Sequence, residues 1–375
     1  MRTPPGVPAA DFAAAIREFQ AIVGTDWVYT AAADVELYRD AYSPFPGEAA
    51  EISVSAALAP DSLEQVQQIL RAANARRIPI YPISTGRNLG YGGSAPVLSG
   101  SVVLDLKRMN RILEVNQRNA SVLVEPGVTY FDLYRHIQEH GQRLWIDVPD
   151  PGWGSLIGNA LEHGAGYTVA PMRDHFDGHC GMEVVLANGE IVRTGMGALP
   201  GSKTWQQFKY GVGPVVDGLF SQSNFGVVTK MGFWLYPEPQ AHRAARVTVP
   251  RHDDIYPFID ILAYLMNSGI ANSTIQVRSP LIETADKDAS IAQLLAQRGG
   301  PSAPQWDRLA TEHGLGSWAA SFNFYGPSKV IDAQWEYVQE RFAAIAGARF
   351  EDGVAHVFPL TREQVSQVEN KAGLG

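Results

Sequence analysis

The run Ser84-Thr-Gly-Arg-Asn-Leu-Gly-Tyr-Gly-Gly93 constrains this chain more than any other segment. Four glycines in ten residues cannot sustain a helix or a strand, so the backbone must turn there. It follows Ile78-Pro-Ile-Tyr-Pro-Ile83, which reads as a buried strand. Upstream, residues 53–58 alternate like a strand, and Ser62-Leu-Glu-Gln65 has the form of a capping box. Leu63, Val66, Ile69, Leu70 and Ala73 then recur at helical spacing, and Arg76 and Arg77 stand at the negative helix pole. Strand, helix and strand over about thirty residues make one βαβ unit, with the glycine run as its exit. Successive N–H groups in such a turn form a nest for anion oxygens. Gly86, Gly90, Gly92 and Gly93 let a ligand approach the backbone, Ser84, Thr85 and Asn88 add donors, and Arg87 adds charge. The spacing is neither G-x-G-x-x-G nor a Walker A loop with its lysine. On spacing alone, a diphosphate nest and a tight structural loop fit equally.

The rest of the chain reads as α+β. A helix is expected over 9–23, strands at 101–106, 111–116 and 121–125, and a helix over 129–140 with Tyr130, Leu133, Tyr134 and Ile137 on one face. Asn188-Gly189, between two apolar runs, signals a hairpin. A strand at 226–235 leads to Pro237-Glu-Pro239, where a domain boundary is placed. Beyond it, a strand at 244–249, a helix with Pro257 in its first turn and an alternating stretch at 274–278 are expected. Ile331, Trp335, Val338, Phe342 and Ile345 define the last strong helix, with Gly347 as its stop. The domains expected are an N-terminal helical extension, 1–50, then 51–240, then a second α+β unit, 241–375.

Composition narrows the function. The net charge is −9 without a Lys/Arg-rich run, which argues against nucleic acid. Cys180 is the single cysteine, so no intrachain disulfide or four-cysteine zinc site can form. No apolar run reaches the length of a membrane span, and a reducing cytoplasm fits. His175, Asp177 and His179 alternate, so a strand would put them on one face, as metal ligands would need.

Several long segments in order resemble the vanillyl-alcohol oxidase and p-cresol methylhydroxylase flavoprotein family. They are 82–93, Val124-Glu-Pro-Gly-Val-Thr-Tyr130, Asp147-Val-Pro-Asp150, Gly154-Ser-Leu-Ile-Gly-Asn159, Gly181–Glu190, Arg193–Ser202 and Ser223–Gly232. Within the family the resemblance is greatest to the eugenol and vanillyl-alcohol oxidases. It covers residues 10–240 strongly and 242–350 more weakly, with an apparent insertion at 169–173. The resemblance implies a two-lobed FAD-binding domain followed by an α+β cap domain, incomplete here. It implies oxidation of para-substituted phenols: flavin N5 takes hydride from the benzylic carbon, leaving a quinone methide. Tyr91 would hold the phenolate oxygen, and Asp150 would act as acid/base beside N5. For Tyr91 the alternative is an aromatic packing residue, and for Asp150 an Asp-Pro turn opener; Asp147 is read as structural. The cofactor would be held by Ser84, Thr85, Gly86, Arg87, Asn88, Leu89, Gly90, Gly92 and Gly93. Pro149, Gly154, Ser155, Asn159, Gly164, Tyr167 and Gly226, Val227 and Val228 would complete its site. No metal is implied.

Family members continue beyond the position where this chain stops. The missing part would carry the residue linked covalently to the flavin, and a second tyrosine and an arginine for the phenolate. A fragment of a longer protein is therefore expected. Molecular oxygen or a cytochrome would accept the electrons, and the complete protein would be a homo-oligomer. The alternatives are a dehydrogenase subunit, an enzyme of 2-hydroxy acids or sugars on the same FAD domain, and a non-catalytic flavin-binding fragment.

Overall fold

A computed structural model describes residues 3–87, 93–150, 152–168, 174–285, 288–296 and 298–372. The chain forms two compact units, one ending at Pro237 and one beginning at Glu238, with the short stretch from Tyr167 grouping with the second.

The first unit has two lobes. Its first lobe runs α1 (Ala9–Val23), β1 (Val28–Tyr29), α2 (Ala32–Glu36), β2 (Ala56–Leu58), α3 (Leu63–Ala75), β3 (Ile80–Ile83) and β4 (Val102–Asp105). The sheet order is β1-β2-β4-β3. The two strands expected to flank one βαβ unit are thus not neighbours: β4 lies between them, parallel to both. The alternation expected at 53–58 gives no exposed face. Ala56 and Leu58 face a core with Phe12 and Phe19 of α1 and Val66 and Ile69 of α3. Val54 and Ala57 face Tyr38, Ile83 and Val103 on the other side. A strand in parallel pairing is covered on both faces, so its small residues mark close packing. In β3 only Ile83 is buried and Pro82 is exposed, as befits an edge strand that cannot use the proline nitrogen. Ser62 caps α3, accepting from Gln65 N at 3.4 Å, but Gln65 Oε1 turns to Asp61 N (2.9 Å), so the box stays half closed.

The second lobe contains β5 (Ile112–Asn116), β6 (Ser121–Val124), α4 (Tyr130–Glu139), β7 (Leu144–Trp145), α5 (Leu156–Leu161), β8 (His179–Val185), β9 (Ile191–Arg193), β10 (Val227–Trp234) and β11 (Tyr236–Pro237). Its five-stranded sheet has the order β5-β6-β10-β8-β9 and is antiparallel throughout. Tyr130, Leu133 and Ile137 bury the inner face of α4, while Tyr134, expected among them, is half exposed. Thr129 and Asp132 close a full capping box at its start. Residues 175–178 form a 3₁₀ turn rather than a strand, and β8 begins only at His179. His175, Asp177 and His179 therefore do not share a face. His175 pairs with Asp147, Asp177 with Lys209 and His179 with Asp217.

The second unit comprises β12 (Ala241–Val249), α6 (Ile255–Asn267), β13 (Gln276–Arg278), α7 (Pro280–Ala285), α8 (Ala289–Leu295), α9 (Ala303–Glu312), β14 (Trp318–Gly326), α10 (Ser328–Phe342), β15 (Arg349–Val357) and α11 (Arg362–Ala372). Its antiparallel sheet has the order β13-β14-β12-β15. Phe258, Leu262 and Leu265 of α6 and Ile331, Trp335, Val338 and Phe342 of α10 pack on Val247, Phe322 and Phe324. On the opposite face, His242 Nε2 meets Asn323 Oδ1 at 2.9 Å and its ring stacks on Tyr325. Among the described residues no helix is long and apolar enough to cross a membrane.

Candidate functional site

Three side-chain contacts fix the described part of the glycine loop. Ser155 Oγ donates to Ser84 Oγ at 2.5 Å, Thr85 Oγ1 donates to Trp153 O at 3.4 Å, and Ser94 Oγ donates to Gly86 O at 3.3 Å. Gly86 stands at φ +64°, and a Cβ there would overlap Ser94 Oγ. Ser155 also caps α5, accepting from Gly158 N at 2.9 Å. A Cβ at Gly158 would overlap Ser84 Oγ, so loop and helix touch where only glycine fits. Gly154 is buried, and its carbonyl accepts from Tyr130 N at 3.2 Å. The structure thus brings Ser84, Thr85, Gly86, Gly154 and Ser155 together. Arg87 is exposed, and Gly93 has φ +56°. Asn88, Leu89, Gly90, Tyr91 and Gly92 lie outside the described residues.

Gly226, Val227 and Val228 lie elsewhere, at the start of the sheet's central strand. Val227 and Val228 pair with Val185 and Val184, and a Cβ at Gly226 would overlap Val184. Tyr167 is half exposed and groups with the second unit. Gly164 N donates to Asn159 O at 2.9 Å, with the Asn159 side chain against its Cα. Among the described residues, the polar side chains gathered at the loop are the hydroxyls of Ser84, Thr85, Ser94 and Ser155. Hydroxyl donors on a backbone kept free of Cβ atoms at Gly86 and Gly158 suit a diphosphate, so the residues present fit FAD.

The segment leading to Asp150 is pinned from Leu144 to Val148. Leu144 and Trp145 pair with Pro237 and Tyr236, and Ile146 and Val148 pack on the second-lobe core. Asp147, 7% exposed, meets His175 Nε2 at 3.0 Å through Oδ2. His175 Nδ1 bonds to Asn159 Oδ1 and lies 3.1 Å from Tyr130 Oη, which donates to Asn159 Oδ1 at 3.2 Å. Asp147, Tyr130, Asn159 and His175 form one network. Burial, and next the charge of Asp147, raise the Tyr130 and Tyr236 phenols above their ordinary values, which keeps them neutral donors. Pro149 is half buried and Asp150 exposed. Sequence reasoning read Asp147 as structural and His175 as a metal candidate; nothing in the spacing shows that they meet across 28 positions.

A second network lies deeper. His179 Nε2 meets Asp217 Oδ1 at 3.1 Å, Thr194 Oγ1 donates to the same oxygen at 2.7 Å, and His179 Nδ1 bonds to Phe176 O. Burial pushes the Asp217 carboxyl up, but the hydrogen bonds from His179 and Thr194, with the histidine's charge, hold it below the ordinary aspartate value. Burial pushes the neighbouring Cys180 thiol up to about 12. A third chain, Asp174–His163–Ser221, has contacts of 3.1 Å each and the order of a hydrolytic triad. Ser221 Oγ also donates to Gly218 O at 3.2 Å, so the chain clamps a surface turn to the end of α5.

Two lobes joined through a donor-rich glycine loop define an FAD-linked oxidoreductase, and the comparisons agree. An FAD binding domain model matches residues 54–195. The flavoprotein subunit of 4-cresol dehydrogenase (hydroxylating) from Pseudomonas putida is 37% identical over 377 residues, covering 99% of this chain and 72% of that protein. Substrate-bound p-cresol methylhydroxylase superposes with a TM-score of 0.84 at 37% identity, over 94% of this chain and 68% of that one. The 4-ethylphenol oxidase of Gulosibacter chungangensis, in its isoeugenol complex, gives 0.82 at 39% identity, over 98% and 70%. The chain belongs to the vanillyl-alcohol oxidase and p-cresol methylhydroxylase family of flavoproteins.

Proposed function

We propose that this protein oxidises 4-alkylphenols at the benzylic carbon, with FAD as its cofactor. The observation that carries the reading is Asp150, an exposed carboxylate three residues beyond the buried Asp147, on a segment pinned by two core contacts and a strand pair. Bound FAD supplies the hydride acceptor. The chain supplies binding, orientation and proton transfer. Ser84, Thr85, Ser155 and the loop amides hold the diphosphate, and Gly226–Val228 lines the adenine end. Tyr91, in the same loop, donates its hydroxyl to the phenolate oxygen and favours the charged form. The Asp150 carboxylate favours the positive charge that builds at the benzylic carbon as hydride leaves, and takes up the proton when water then adds to the quinone methide.

Anaerobic mixing of the FAD-loaded protein with a substrate panel tests this. Bleaching by 4-ethylphenol or p-cresol, and none by D-lactate or glycolate, is expected. Reduction by a 2-hydroxy acid and by no phenol would overturn it. Reoxidation by air, against reoxidation only by a cytochrome, then assigns the acceptor.

A further inference from the structure

Asp150 stands between Pro149 and Pro151. The first fixes its own φ, and the second pushes Asp150 toward extended conformations. With these restraints and Val148 packed on the second-lobe core, few soft dihedrals separate residue 147 from Asp150. Asp147 is buried with Gly166 directly beneath its carboxylate, where a Cβ would overlap the oxygens. Its ring partner is His175, whose other nitrogen is held by Asn159 beside Tyr130. His175 itself is fixed by its backbone, since its N–H donates to Gly164 O at 2.8 Å. The network thus ties four separate segments to the root of one short stalk.

We infer that His175 is a positioning residue: it holds Asp147 as the anchor of the stalk that presents Asp150. The inference rests on the acid/base role proposed for Asp150. A positioning role differs from a merely stabilising one in what it changes. Displacement of a reacting group by about 1 Å can cost on the order of 100-fold in rate while binding is retained.

The test compares His175→Ala, Asp147→Ala, Asp147→Asn and Asp150→Asn in the FAD-loaded protein. H175A and D147A should reduce with 4-ethylphenol on the order of 100-fold more slowly per bound flavin, at unchanged half-saturating phenol. D147N keeps an oxygen opposite His175 Nε2 and should stay close to wild type. Hydrogen–deuterium exchange, which needs no turnover, should rise in H175A at the amides of Asp147, Val148 and Asp150 and not in β8. If H175A does not fold, the D147A and D147N pair carries the same test. Wild-type rate per flavin in H175A, or unchanged exchange at 147–150, overturns the inference alone. D150N as fast as wild type removes the role of Asp150 and this inference with it. If no phenol reduces the wild type, the proposed substrate falls, and the exchange measurement still decides whether His175 fixes the stalk.

Discussion

One 3₁₀ turn carries a histidine–aspartate pair at each end, and the two pairs differ in what surrounds them. His179 and Asp217 are sealed, at 1% and 2% exposure, and their partners are Thr194 and the Phe176 carbonyl. His175 and Asp147 are nearly as buried, but they join α4, α5 and the root of the Asp150 segment. The same chemical pair thus serves different ends. A sealed pair stands or falls with the fold, because either charge left alone in the core has no solvent. A pair at a junction sets where an exposed group stands, and its loss appears in rates before it appears in stability.

The comparison breaks most sharply at Asp217. Replacing it by Ala leaves His179 and Thr194 without their acceptor and should cost about 3–5 kcal/mol; chemical denaturation reads this. Any flavin-loaded D217A that survives should react at the wild-type rate per flavin. Asp147→Ala should cost less stability, about 1–3 kcal/mol, because this pair lies nearer the surface. A loss at Asp147 as large as that at Asp217 would erase the distinction. Thr194→Val removes a hydrogen bond to Asp217 and the acceptor of the buried Met182 N–H, and should cost about 1–3 kcal/mol, without effect on phenol reduction.

Acid sharpens the contrast further. The folded Asp217 carboxyl lies below its unfolded value, so its stabilisation is present above the ordinary aspartate range and is lost only as pH falls through the folded value. His242 behaves differently. Burial, partly opposed by the Asn323 hydrogen bond, and the neighbouring His356 hold it below the ordinary histidine value. The unfolded chain then binds more protons there, so the second unit should weaken as pH falls through about 6.5. His242→Gln should flatten that slope in a thermal-melt series from pH 7.5 to about 5.5. The smallest effect belongs to Cys180: with its thiol pushed up to about 12, the native protein should react with a thiol reagent only after unfolding.

Helices were the legible part of the fold. α3, α4 and α10 each carry one apolar stripe, and the residues named on those stripes are buried, Leu63 and Tyr134 apart. Of the long strands of the second unit, β12 was legible at 244–249, but β14 and β15 were hidden. In β14 the alternation Phe322, Phe324 is diluted by Ala319 and Ala320, which pair closely with neighbouring strands. β15 is an edge strand with little buried face, and Glu351-Asp-Gly353 runs through it where the register slips against β12. No period-2 apolar signal can arise there. At the site, the loop motif could be read because glycine and hydroxyl chemistry is local. The Asp147–His175 contact could not, because it joins residues 28 positions apart through a 3₁₀ turn that no local pattern marks. Tyr91 belongs to the undescribed part of the loop, and its role stays a proposal.

The most direct test of the central claim is stopped-flow, anaerobic reduction of the FAD-loaded protein by 4-ethylphenol, with Asp150→Asn beside the wild type. The account predicts that the flavin band near ~450 nm bleaches in the wild type. D150N should lose about 100-fold or more in the bleaching rate, as removal of a charge that favours hydride departure should. No bleaching of the wild type, or equal rates in the two proteins, would contradict it.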